Sequence, residues 1–203
     1  MLAGFKNYFK ETIKEKQMKK VVTIALIAAI AAVLLTGGCS PVPKGPEGRK
    51  VLSAEVQEAI TLMKQQDSSI NTFFDKSYGY AVMPKIFKGA WVLGGAGGKG
   101  EVYERGSLAG YCSMGQASIG FSFGGQFFRE IIFFRDKTDL DAFRTGEYTF
   151  SAQAMAVAIT SGAAAKADYE SGMAVFIMAD KGLMVDASIG GQKFRYTPKS
   201  AVR

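Results

Sequence analysis

QASIGFSFGGQFFREIIFF, residues 116–134, carries two patterns of β-structure in succession. In its first part Ala117, Ile119, Phe121 and Phe123 alternate with Ser118, Gly120, Ser122 and Gly124, a period of two that gives a strand one apolar face. From Gln126 onward the run QFFREIIFF is apolar at most positions and reads as a buried strand. A sheet is therefore the centre of this fold.

The flanks extend the same reading. YAVM, AWVLG, GEVYE and SLAGYCS, between Tyr80 and Ser113, are short runs of β-branched and aromatic residues punctuated by glycine. Near the C-terminus, GMAVFIMADKGLMVDASIGGQKFRYT predicts two strands joined by a hairpin at Asp180-Lys181-Gly182. SAQAMAVAITSGAAA, residues 151–165, is ambiguous between helix and strand, and its alternation of Met155, Val157 and Ile159 with alanine favours strand. Thr138-Asp139-Leu140-Asp141 resembles a capping box that opens a short helix through Phe143. Ahead of the strands, Leu52, Val56, Ala59, Ile60 and Met63 recur at helical spacing, predicting an amphipathic helix over residues 51–66 whose stripe packs on the core. A second short helix follows Asp67, a suitable N-cap, through Ile70, Phe73 and Phe74. The fold class is α+β: a largely antiparallel, glycine-rich sheet, sandwich- or barrel-like, with the amphipathic helix and short helices packed at one side.

The chain opens with a lysine-rich segment, a charge-free run from Val21 to Thr36, and Gly37-Gly38-Cys39. That run would span about 24 Å as a helix, short of a hydrocarbon core of about 30 Å, so it reads as a secretory signal. Small residues before a cysteine resemble the lipobox of bacterial lipoproteins, in which Cys39 would be acylated and residues 1–38 removed. Palmitate labelling that depends on Cys39 is the expected consequence. Translation from either Met1 or Met18 fits the pattern. Residues 39–49 then form a lipidated cysteine with a Pro/Gly tether, and residues 50–203 form the domain. Ser40 stands where an inner-membrane retention signal often places Asp, which favours the outer membrane, facing the periplasm.

Removing residues 1–38 takes the net charge from +7 to +3, so most of the basic excess belongs to the leader and composition does not argue for nucleic acid. Histidine is absent, which excludes Ser-His-Asp and Cys-His catalysis and HExxH zinc sites. Cys39 and Cys112 are the two cysteines, so acylation of the first leaves no internal disulfide, and Cys112 reads as a small buried strand residue. Asp139 with Asp141, or Ser161 with Lys166, could be arranged into a hydrolytic site, but nothing local distinguishes them from caps and solvated surface. No cofactor or metal is expected.

GGAGGKG, residues 94–100, matches GxGxxG from Gly95. A dinucleotide fingerprint needs a helix after its last glycine, and strand-like EVYERGSLAGYC follows instead. A kinase loop needs HRD and DFG downstream, and a Walker loop needs Ser or Thr after the lysine, so no nucleotide is expected. Two readings stay open for Gly94, Gly95, Gly97, Gly98 and Gly100: a segment where backbones approach closely, or part of a lipid-phosphate site. Lys85, Lys88, Lys99 and Arg105, interleaved with Ile86, Phe87 and Trp91, suit an anionic headgroup boundary.

SYGYAVMPKIFKGAWVLGGAGGKGEVY, GQASIGFSFGGQ, FFRDKTDLDAF and ESGMAVFIMADKGLMVDASIGGQ, in this order, resemble the SYLF domain family from about Leu52 to the C-terminus. The resemblance implies a non-catalytic lipid-binding module; eukaryotic members bind phosphoinositides and some associate with actin, while bacterial members are secreted proteins or lipoproteins. In eukaryotic members the lipid contact lies largely in a basic N-terminal segment. Here that helix carries Glu55 and Glu58 beside Lys50 and Lys64, so phosphatidylglycerol, cardiolipin or lipopolysaccharide is the more natural anionic partner. The competing expectation is a structural envelope protein that binds a protein partner through its sheet and uses lipid only as an anchor.

Overall fold

The computed structural model describes residues 40–90, 93–146, 149–150, 156–180 and 184–202. The leader, Cys39, Trp91, the first part of the 151–165 segment and the Lys181-Gly182 turn lie outside the described residues.

Helix α1 (Gly45–Gln66) starts earlier than its apolar stripe, because Pro46 sits in the first turn, where no N–H is needed. Leu52, Val56, Ala59, Ile60 and Met63, the five residues of the stripe, are the ones it buries. Asp67 ends α1 and caps a 3-10 turn (Ser68–Ile70) by accepting from the Ser69 N–H, and α2 (Asn71–Lys76) follows. The same carboxylate reaches the Ala164 N–H at 2.7 Å, tying this corner to a distant loop.

The sheet comprises β1 (Gly79–Ala90), β2 (Leu93–Glu104), β3 (Ser107–Phe134), β4 (Thr149–Phe150), β5 (Ala156–Ala158), β6 (Met173–Ala179) and β7 (Met184–Pro198), with α3 (Lys137–Thr145) between β3 and β4. All pairings are antiparallel except β5 with β6. The two runs in residues 116–134 are therefore parts of one 28-residue strand. Along one edge β3 pairs first with β2 and then with β1, since Ile119 faces Leu93 and Gly124 faces Ala90. Because β1 and β2 are themselves antiparallel, β3 reverses direction between Ile119 and Gly124 and wraps the hairpin. Gly124, at φ 119°, adopts there a backbone that a side chain would strain.

β6 and β7 follow the other edge of β3, pairing Phe134 to Phe128 with Met173 to Ala179 and Gly124 to Gly110 with Met184 to Pro198. The sequence suggested a hairpin at Asp180-Lys181-Gly182. Instead both strands run antiparallel to β3 in the same sense, end to end, and the Asp180 N–H continues the ladder to the Phe127 carbonyl at 2.9 Å. The short helix is also capped differently from the expectation: Asp136, not Thr138, accepts from the Asp139 N–H.

Period two sorts the strands onto two buried faces. Val82, Tyr111, Ile131, Phe133, Ala174 and Phe176 face outward under α1 and α2. Ala81, Met83, Ile86, Val102, Cys112, Met114, Phe128, Ile132, Phe134, Val175 and Phe194 face inward, with Leu140 and Phe143 of α3. The interior is crossed by a polar bridge: the Gln192 amide nitrogen of β7 donates to Glu130 of β3 at 3.1 Å.

Candidate functional site

Helices cover only half of the outer face. Among the described residues no helix covers the half nearer the β1–β2 tip, and cross-strand register shows what occupies it. Arg195, Ser113, Lys99 and Lys85 are successive partners across β7, β3, β2 and β1, forming one transverse row. The next row runs Lys193, Gly115, Gly97, Phe87 and Phe127, and the third runs Gly191, Ala117, Gly95, Gly89 and Gly125. Directly opposed side chains lie about 5 Å apart, so Lys85 and Lys99 are neighbours and Arg195 lies one strand beyond, across Ser113, in a basic band.

Within the band Lys85, Lys193 and Arg195 are exposed and Lys99 is half-buried. Arg129, on the same face, is paired with Asp180. Phe87 and Phe127 are 50% and 39% exposed, large values for phenylalanine, with ring centroids 5.2 Å apart. The Lys85 ammonium lies 5.1 Å from the Phe127 centroid. The Phe87 ring lies across two glycines: a Cβ added at Gly89 or Gly125 would meet it at 3.1 Å or 3.3 Å. Bare backbone at those positions thus seats an aromatic side chain in water. Glu101, the nearest acid on β2, is buried beneath α1, where it accepts from Ser53 and from the Tyr103 hydroxyl. Burial and that hydrogen bond push the Tyr103 hydroxyl well above its usual range.

The four cations singled out from sequence separate. Lys85 and Lys99 are direct partners in the band. Lys88 is 4% exposed and points into the interior, because three residues along a strand change the face. A register shift between Val82 and Lys85 sets this phase, placing Ile86 and Lys88 inside. Arg105 forms the β2–β3 turn with Gly106, both at positive φ (49° and 76°), as a two-residue type I′ turn requires. It stacks over Tyr78, about 20 Å of strand away from Lys99. Nearby, Glu104 accepts from Tyr78 at 2.8 Å and from Arg144 at 2.6 Å, and chiefly the Arg144 bond holds its carboxyl below the usual range.

The glycine segment is strand. Gly94, Gly95, Gly97, Gly98 and Gly100 all lie in β2; the first four are paired on both edges, and Gly100, at the register shift of β1, pairs with Cys112 of β3. A Cβ on Gly100 would sit 2.2 Å from the Val82 carbonyl, and one on Gly98 2.8 Å from that of Lys85. These inward glycines admit the close approach of β1. Outward-facing Gly95 and Gly97 meet nothing closer than 3.5 Å, and Gly115 meets nothing within 4 Å. They leave the floor beside the cations flat and open.

Sequence reading placed Phe87 beside the cations but missed Lys193, Arg195, Phe127 and Arg129. For the first two a signal existed: Lys193 and Arg195 alternate with Gln192, Phe194 and Tyr196, the pattern of a strand with one wet face. A basic band beside an exposed aromatic pair can accept phosphate oxygens while its rings enter the apolar boundary beneath a headgroup layer.

No protein-family model matches the chain. The chain is 30% identical over 148 residues to beta cell expansion factor A of Aeromonas veronii, an alignment covering 73% of this chain and 57% of that protein. The chain thus spans little more than half the length of this curated relative.

Proposed function

We propose that this protein is a SYLF-domain lipoprotein of the bacterial envelope, anchored through Cys39, whose bare sheet face binds anionic lipid headgroups without catalysis. The observation that carries the reading is the exposed Phe87–Phe127 pair flanked on the same face by Lys85, Lys99, Lys193 and Arg195. Arg105 is dropped from the binding set for its distance, and Lys88 for its burial. Similarity to beta cell expansion factor A supports the family assignment over the aligned residues.

Four cations contribute about 1 kcal/mol each near an anionic surface. Two half-exposed phenylalanines add about 1 kcal/mol each on burial. The sum, about 6 kcal/mol, corresponds to a dissociation constant on the order of 10 to 100 µM. Such a surface holds a membrane when assisted by an acyl anchor.

The test is co-sedimentation with vesicles. Residues 40–203 form one compact unit with their own core and are used alone. Binding to phosphatidylglycerol vesicles should exceed binding to phosphatidylcholine and weaken with salt. Replacing Lys85, Lys99 and Arg195 together by alanine should weaken it roughly 100-fold, while Arg105→Ala leaves it unchanged. Absence of binding to any anionic vesicle would overturn the reading and move a protein partner to first place.

A further inference from the structure

The segment between Cys39 and α1 reads from sequence as a tether that stands the domain off the lipid. In the structure it is folded onto the domain. The Val42 carbonyl accepts from the Lys99 ammonium at 3.3 Å, so the segment meets the sheet at a member of the basic band. The Val42 side chain packs against the outer core cluster. Its N–H binds the Ser40 hydroxyl at 3.3 Å, which bends the chain between them. Pro43 lies against the first turn of α1, where a Cβ on Gly48 would meet it at 3.3 Å. Pro41, Val42 and Pro43 are all partly buried as a result.

We propose that the acyl anchor and the basic-aromatic face form a single footprint on one membrane leaflet, with the docked segment 40–44 fixing the domain's orientation. This rests on the lipid-binding reading above and adds to it a geometry. Cys39 is three residues from Val42, a reach of at most about 11 Å along the chain. An acyl chain attached there is tied within that reach of the docked Val42 rather than held at the end of a free leash. The occupant of the bare face is then the leaflet that carries the anchor, and the charges of the band complement its anionic headgroups.

The experiment uses the full chain, made with its own leader in a bacterial host and reconstituted into vesicles after mass analysis of Cys39. A fluorescent label is placed at Gly115→Cys, where an added Cβ meets nothing within 4 Å, or at Thr138→Cys, exposed on α3 across the sheet. Cys112 is fully buried and does not compete for label. On neutral phosphatidylcholine vesicles, where the band has no anionic partner, a lipid-borne quencher should quench the label at Gly115→Cys and spare that at Thr138→Cys. A Gly/Ser linker of about 20 residues between Cys39 and Ser40 should abolish this quenching on neutral vesicles and preserve it on vesicles containing phosphatidylglycerol.

Quenching at both positions, quenching unaffected by the linker, or none on neutral vesicles would overturn the fixed footprint. Quenching retained on anionic vesicles in those cases would leave headgroup binding standing; its absence there too would overturn both. A Cys39 without added acyl mass also overturns the footprint.

Discussion

Glu130→Gln should stabilise the protein, and only above acid pH. Glu130 is fully buried inside the curled sheet, accepts one hydrogen bond from Gln192, and leaves its Oε1 without a partner. Burial pushes its carboxyl from 4.5 up to about 7, against a smaller lowering by the Gln192 bond. Between those values the folded protein holds a proton that the unfolded chain releases, so stability falls as pH rises through the window and levels off above it. At about 1.4 kcal/mol for each pH unit, the full loss is a little over 3 kcal/mol. Glutamine keeps the shape, still accepts from Gln192, and cannot ionise. Urea unfolding of both proteins from about pH 4 to about pH 8 isolates the effect, because every other group titrates in both. The variant's advantage should be near zero at the acid end and grow to about 3 kcal/mol at the alkaline end. Parallel profiles, or a variant less stable at alkaline pH, would refute the argument that a buried, half-satisfied carboxylate opposes folding here.

Other expectations follow from single residues. Gly100→Ala places a Cβ against the Val82 carbonyl and should cost about 3 kcal/mol or more in denaturant unfolding, whereas Gly115→Ala should be neutral or stabilise by about 0.5 kcal/mol. Asp67→Ala strips the Ser69 and Ala164 N–H groups of their acceptor and should lower stability by about 1 to 3 kcal/mol. Burial pushes the Cys112 thiol far above its usual range, so a maleimide should label it only after unfolding. Replacing Phe87 and Phe127 together by serine should weaken vesicle binding about 30-fold while leaving the thermal midpoint nearly unchanged, since both rings already face water.

The sequence was most readable where one periodicity holds without interruption. The stripe from Leu52 to Met63 named the buried face of α1 because its five apolar residues hold one helical spacing over about three turns. Strand content was readable for the same reason, but strand connectivity was not. The glycines at 124 and 125 look like the end of a strand, and Asp180-Lys181-Gly182 looks like a turn. In both places chain direction depends on pairing partners far away in sequence, which local chemistry does not encode. The bare face suffered from the same limit. Lys85 and Lys99 were found as cations near one another, yet whether Lys88 joined them depended on the shift between Val82 and Lys85. Phe127, within the apolar run QFFREIIFF, read as core, since nothing in composition distinguishes an exposed phenylalanine from a buried one.

The long strand β3 has a consequence for the order in which the molecule assembles. Its outer edge, from Gly110 to Phe134, is occupied by β6 and β7, which are synthesised well after it. Until they arrive, most backbone groups along that edge have no partner and the inner core lacks Met173, Val175 and Phe194. Contacts this distant in sequence form slowly. A nascent chain therefore cannot lock into this sheet before residues 173–198 have emerged from the ribosome.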